Sequence, residues 1–357
     1  MRYVLLIICF FTTLLFAAPP KVLVVGHGFM GANHVRNLET LQQEGEVEII
    51  AVVDSNPARL KDLKYPTYST MEAALEKHSP DILVIASNTC THFPLLQTVL
   101  AQSSPPDLFV EKPLVESSQE LSTLLPLLRA KGYEKNRNIV CGYLFRYSPA
   151  LNDALSYMRS EHLHIQDIKV IWQKERPPTR PSAGVHIDEA THPIDLVVHY
   201  LLRELGLPRE PLTLHVTSTA YNSRIVDVAQ QNILYANNPE KIVPLAEVSF
   251  QMQIGKIPLT AYSSFIKAPQ KREVLLTCQN NTQVRIFFDE QQSDGWEVTK
   301  NGNTIKREIS KNPNKLLLEW RAFLESRKAN IVDLARPKLD EIAADLTLTE
   351  SLEKKSL

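Results

Sequence analysis

The 357-residue chain holds only four cysteines. Cys9 lies in an N-terminal apolar run, and Cys90, Cys141 and Cys278 are far apart and odd in number, which excludes a disulfide framework and any zinc-ligand spacing. An excess of charge of one sign is also missing. Lys plus Arg (39) nearly balances Asp plus Glu (40), so no basic field exists to gather phosphate backbones, and nucleic acid is not an expected partner. Long like-charge runs and low-complexity segments are absent as well. The remainder, 44% hydrophobic and 22% charged, is the composition of a soluble globular protein long enough for two domains.

The opening MRYVLLIICFFTTLLFAAPP carries one basic residue, an apolar run from Tyr3 to Phe16 and the small residues Ala17 and Ala18. It falls short of the about 20 apolar residues a membrane span needs. Residues 1–18 read as a secretory signal within a signal-like segment 1–20, although Phe16 is bulky for its place before the cut and Pro19 would follow it. A misplaced start codon is the other reading.

From Lys21 short apolar runs alternate with helical periodicity. VLVV (22–25), VEIIAVVD (47–54), DILVIAS (81–87), DLFVEK (107–112) and NIVCGYL (138–144) read as strands buried on both faces. Helical stretches between them predict a doubly wound parallel sheet, because parallel neighbours need crossovers. Beyond about Ser148 several alternating strands follow one another, predicting an α+β domain with a large, mostly antiparallel sheet. The expected domains are 21–147, a dinucleotide-binding Rossmann unit, and 148–357, a substrate-binding and oligomerisation unit, with a cleft between them.

VLVVGHGFMG contains G-x-G-x-x-G as Gly26, Gly28 and Gly31, after a predicted strand and opening a predicted helix. The first glycine serves a tight turn, the second the approach of a pyrophosphate, and the third close helix packing. Phe29 and Met30 lie between them and join the cofactor-binding set. Asp54 ends the second strand 23 residues beyond Gly31, where a carboxylate accepts from a ribose hydroxyl. That favours NAD, with NADP tolerated through Ser55 and Arg59.

Lys112, in FVEKPL, ends the DLFVEK strand and points to the cleft, with Glu111 as an orienting neighbour in the cofactor-binding set. Asn88 and His92 begin the helix after the fourth strand; both are taken as cofactor-binding, with a helix cap and a packed histidine as their structural alternatives. Arg146 at the domain junction is either an anchor for an anionic substrate group or a structural ion-pair partner. In GVHIDEATHPIDLVVHYLL (184–202), Asp188, His192 and Asp195 share one face of a helix expected over 188–204. A metal is not expected there, since no thiolate or tight ligand spacing supports one. Hydride transfer from an alcohol needs a proton acceptor and a group that polarises the oxygen; His192 suits the first and Lys112 the second.

GHGFMG, the strand-terminal Asp54, EKPL, GYLFRYSPA and D-x-x-x-H-x-x-D in DEATHPID, in this order, resemble the Gfo/Idh/MocA family from Lys21 onward. The resemblance implies an NAD(P)-dependent oxidoreductase moving hydride between a secondary hydroxyl or keto group of a sugar, cyclitol or nucleotide sugar and the nicotinamide. It implies that Lys112 touches substrate and nicotinamide, Asp188 binds or orients the sugar, His192 is the acid/base, Asp195 holds His192 or the helix, and the second sheet serves homo-oligomer contacts. In KERPPTRPSAG, Ala183 stands where many members have glycine, and Arg176 and Arg180 are available to an acidic or phosphorylated substrate. A cofactor-sensing regulator, or an enzyme that uses bound NAD transiently without net redox, are the alternative functions. Location stays open between export, indicated by the leader, and the cytoplasm, indicated by the cofactor and the unpaired cysteines.

Overall fold

The computed structural model describes residues 18–175, 184–208, 212–221, 245–329 and 335–354. The signal-like residues 1–17, and Arg176, Arg180 and Ala183, lie outside them. Among the described residues no helix is long and apolar enough to cross a membrane.

The first sheet has six parallel strands, β1 (Lys21–Val25), β2 (Glu48–Val53), β3 (Thr67–Tyr68), β4 (Ile82–Ile85), β5 (Asp107–Glu111) and β6 (Ile139–Gly142), in the order β3-β2-β1-β4-β5-β6. This is the doubly wound dinucleotide-binding order, and it reverses between β1 and β4. Alternate residues of β1 face opposite layers, as a strand requires. Val22 and Val24 join the layer of Leu38, Trp320 and Phe323, whereas Leu23 and Val25 join that of Leu96, Leu124 and Ile342. The helices after β1, β4 and β5 are α1 (Phe29–Gln43), α3 (His92–Leu100) and α4 (Ser118–Ala130); α2 (Met71–Leu75) is a short piece after β3.

The second sheet has eight strands, β7 (Ile165–Glu175) and then β8 (Leu212–Tyr221), β9 (Leu245–Ile254), β10 (Ile257–Ser264), β11 (Ile266–Cys278), β12 (Thr282–Glu290), β13 (Ser293–Lys300) and β14 (Asn303–Lys311). Their order is β14-β13-β12-β11-β7-β10-β9-β8, parallel only where β10 meets β7. The α/β fold expected from the sequence is therefore present. β14 was not among the expected strands because its residues are mostly exposed and show no apolar alternation. Helix α5 (Pro149–Ser160) packs its buried face on this sheet with Trp172, Phe250 and Val284 in one core.

Two helices at the end of the chain return to the first sheet. Trp320, Phe323 and Leu324 of α9 (Lys315–Ala329) lie in the core on one of its faces, and Leu339, Ile342 and Leu346 of α10 (Leu339–Lys354) in the core on the other. A division at residue 148 thus leaves two helices that belong by packing to the Rossmann layers.

The helix expected over 188–204 is broken. It runs as α6 (Val185–Asp188), α7 (Thr191–Ile194), a π-helical segment Asp195–Leu201 and α8 (Leu202–Glu204). Pro193 lacks an N–H for the turn behind it and crowds the carbonyl of Glu189, so α6 cannot run on into α7. As a result Asp188, His192 and Asp195 do not share one face. Asp195 turns instead to Arg146, whose Nε donates to Oδ2 at 2.8 Å and whose Nη2 donates to Oδ1. The same guanidinium donates to the Ala335 carbonyl at 3.1 Å and to Glu341 at 3.3 Å.

Arg146 is wholly buried. Burial alone would lower its pKa, but Asp195 and Glu341 more than offset that and hold it charged. The expectation that Arg146 binds substrate is corrected: its donors are spent on carboxylates and a carbonyl inside the protein, and no face of it is open. Nor does Asp195 hold His192. Replacing Arg146 with Met should strand two buried carboxylates and cost about 3–5 kcal/mol. Chemical denaturation checks this, and a loss below about 1 kcal/mol would show the pair to be worth no more than a surface one.

Candidate active site

The glycine loop lies at the switch point, between β1 and α1 and against the end of β4. Gly26 has φ 93°, and a Cβ on it would stand 2.5 Å from the Ser87 amide nitrogen; one on Gly31 would stand 1.9 Å from the Gly26 carbonyl oxygen. Only hydrogen fits at either place. Gly28 precedes α1 without any side-chain cap, no acid occupies the first turn, and Phe29 is 57% exposed beside it with Met30 half-buried. A bare helix start with a shaped backbone is what a pyrophosphate requires. Asp54 fits the rest of the dinucleotide. Buried at the end of β2, its carboxylate accepts from the His27 amide at 2.7 Å and the Asn56 amide at 2.8 Å, with Arg59 at 3.4 Å. It thereby braces the glycine loop from the end of β2.

Asn88 follows β4 across the switch point, and its side chain makes no cap bond with the turn Thr89–Thr91. His92 is turned into the protein. It is 1% exposed, with Nδ1 3.0 Å from the Pro113 carbonyl and Nε2 3.3 Å from that of Ser87. Burial lowers its pKa, so the ring is neutral and its single N–H donates to one of these two carbonyls. Glu111 is likewise turned inward. It accepts at 2.8 Å from His34 Nε2, while His34 Nδ1 accepts at 3.0 Å from Trp320 Nε1. The contacts of His92 fit its packed-histidine alternative, and Glu111 is held through Oε1 by His34.

Lys112 extends from the end of β5, and its Nζ donates to the backbone carbonyl of Asp188. That bond joins the end of β5 to the segment holding His192. Asp188 is half-buried at the end of α6, near Glu116, whose pKa is pushed up by burial, by Glu120 and by Asp188. His192 lies 8% exposed in an aromatic box, its ring centroid 5.0 Å from Phe145, 5.8 Å from Trp172 and 6.3 Å from Tyr143. Its Nδ1 has no hydrogen-bond partner among the described residues. Burial, then Lys112, Arg272 and Lys174, hold its pKa well below the usual imidazole range. The imidazole is therefore neutral at pH 7.

Lys174, Arg272, Glu189 and Glu116 are the residues that sequence reasoning missed. Lys174 and Arg272 come from β7 and β11, neighbours in the second sheet but about a hundred residues apart in the chain. A continuous helix would turn Glu189 about 100° from Asp188, so periodicity does not mark it. No group of three or more His, Cys, Asp or Glu is placed to hold a metal among the described residues.

Residues 20–134 match the model of an oxidoreductase family with an NAD-binding Rossmann fold, GFO_IDH_MocA. This stretch is similar to the nucleotide-binding domain of that family. An inositol 2-dehydrogenase of Pseudarthrobacter chlorophenolicus is 24% identical over 194 residues, 52% of this chain and 55% of the relative. The chain thus matches about half the length of that curated relative. Two solved structures share the fold across nearly the whole chain. An aldose-aldose oxidoreductase from Caulobacter crescentus superposes with a TM-score of 0.72 at 13% identity, covering 95% of this chain and 97% of its own. A 3-ketoreductase from Actinomadura kijaniata, solved with TDP-benzene and NADP, gives 0.72 at 11% identity, covering 94% and 98%. The Gfo/Idh/MocA resemblance and the NAD(P) cofactor expected from the sequence accord with these findings.

Substituting Gly31 with Ala should weaken NAD binding roughly tenfold or more, about 1.4 kcal/mol, because the new methyl group displaces the Gly26 carbonyl. Quenching of intrinsic fluorescence by added NAD measures it. An unchanged Kd would mean that the cofactor does not rest on this loop.

Proposed function

We propose that this protein oxidises a secondary hydroxyl of a sugar, cyclitol or nucleotide sugar, or reduces the corresponding ketone, with NAD(P). The observation that carries the reading is the pairing of a neutral, buried His192, its Nδ1 unpartnered among the described residues, with the Lys112 ammonium in electrostatic reach. The dinucleotide, when bound, supplies the hydride acceptor or donor. Gly26, Gly28 and Gly31 would hold its pyrophosphate, Asp54 its ribose, and Asn88, Phe29 and Met30 would border it.

For the protein's own part, the unprotonated imidazole accepts the hydroxyl proton of the substrate in the oxidising direction and returns it in the reducing one. Lys112 donates a hydrogen bond to the same substrate oxygen and favours the negative charge that develops there. The Asp188 carboxylate accepts from a neighbouring hydroxyl and orients the ring. Cations around the imidazole have a kinetic consequence: they oppose its protonation before substrate arrives, so the base form is present throughout the neutral range.

A panel of myo-inositol, aldoses and nucleotide sugars, followed by nicotinamide absorbance, tests the reading. Turnover of at least one member is expected, and His192→Ala should lower it by about 10² to 10⁴ with cofactor affinity nearly unchanged. Product without net change in the nicotinamide would mean that hydride is returned within one catalytic cycle. Full activity in the His192 variant would pass the base role to Lys112.

The pH profile is a second check. Because the folded pKa is depressed, the neutral form persists above it, and the acid limb of kcat/KM in the oxidising direction should lie well below the ordinary imidazole value of 6.5. A limb at or above 6.5 would contradict the burial of His192. Asp54 should also favour NAD, since a 2′-phosphate would meet its carboxylate. Titration of both cofactors decides this; tighter NADP would show Arg59 leaving Asp54 for the phosphate.

A further inference from the structure

Glu189 takes no part in the chemistry just described, yet it is 4% exposed and stands between Asp188 and His192 in the chain. One of its carboxylate oxygens accepts from Lys174 Nζ, and the other faces Arg272 Nη2 at 3.8 Å. Both cations border His192, where they act on its imidazole together with Lys112. Arg272 lies 5.5 Å from the ring centroid of Phe145 and 5.8 Å from that of Trp172, two rings that also pack on His192.

The alternation of charge continues beyond Arg272. Asp289 lies 2.5 Å from Arg272 and 2.9 Å from Lys315, Lys315 lies 3.0 Å from Asp294, and Asp294 accepts from the Ser148 hydroxyl at 2.6 Å. Lys315 opens α9, and five residues on, Trp320 connects through His34 to Glu111, the neighbour of Lys112. Lys112 in turn rests on the carbonyl of Asp188, the neighbour of Glu189. These contacts form a series that links the two sheets, and Glu189 is the member that joins its two ends.

We infer that Glu189 is a positioning residue for both reacting side chains: it pins Lys174 and Arg272 beside His192, and through its own fixed backbone it holds the Asp188 carbonyl on which Lys112 rests. The inference builds on the roles proposed above for His192 and Lys112. Its physical basis is the cost of unpaired buried charge. Without the carboxylate, Lys174 loses its counterion at 17% side-chain exposure and must move toward water or another acid. Either movement disturbs the segment that carries the Asp188 carbonyl.

The test combines crystal structures with kinetics. In Glu189→Gln, Lys112 Nζ should leave the Asp188 carbonyl, kcat should fall roughly tenfold or more through misplacement of the reacting groups, and the Kd for NAD should stay nearly unchanged. Adding Lys174→Met to that variant removes the stranded cation and should recover much of the lost kcat. Should Glu189→Gln not fold, Glu189→Asp keeps the charge but is too short to span both cations, and an intermediate kcat is expected. Wild-type kcat per folded molecule with only a lowered Tm would overturn the inference, as would full activity of the Asp variant or an unmoved Lys112. If the wild-type protein turns over none of the panel, the functional reading fails, while the crystal comparison still decides what holds Lys112.

Discussion

The site depends on one hydrogen bond between parts of the fold that are distant in sequence, from the Lys112 ammonium to the backbone carbonyl of Asp188. On one side of it stands the end of a parallel strand, whose position is set by the pairing of β5 with β4 and β6. On the other stands a short helical piece that is interrupted between Asp188 and Thr191. A broken backbone leaves carbonyl groups without helical donors, and each needs a partner when buried. Asp188 gives its carbonyl to a lysine. The break that spoils the helix is thus what makes a place for the cation.

Around that bond the charged groups are arranged in compensating pairs. Arg146 gathers Asp195 and Glu341 on the buried side of the segment, whereas Lys174 and Arg272 gather around Glu189 on the side of the second sheet. The segment from 184 to 204 is therefore gripped on two sides by ion pairs that desolvation would make costly to break singly. His192 alone among these buried polar groups is held by apolar packing, between Phe145 and Trp172. A group meant to change protonation is best kept free of strong counterions, since a tight carboxylate partner would favour its charged form.

Helix α9 shows how late parts of the chain shape an early site. Its apolar residues cover the Rossmann sheet, its first residue reaches acids of the second sheet, and Trp320 orients His34 by donating to Nδ1, which leaves Nε2 to donate to Glu111. One helix thereby ties the two sheets together.

The dinucleotide loop was legible in the sequence because its demands are local. Glycines are required where a Cβ would strike backbone a few residues or one strand away, and the run of strand, turn, helix and strand-terminal acid lies within about thirty-five residues. Buried strands were legible for a similar reason, since burial on both faces leaves an unbroken apolar run. The roles of Arg146, His92 and Glu111 were not legible, because each depends on which polar groups from remote segments arrive beside it. Periodicity placed Asp188, His192 and Asp195 on one face by assuming a continuous helix, and Pro193 with the π-helical turn parted them. The chain by itself determined a nucleotide fold, its glycine loop and the strand that leads into Lys112. Only the tertiary structure decided which charges neutralise one another, since ion pairing follows distance in space and burial, and neither is written in the spacing of residues along the chain.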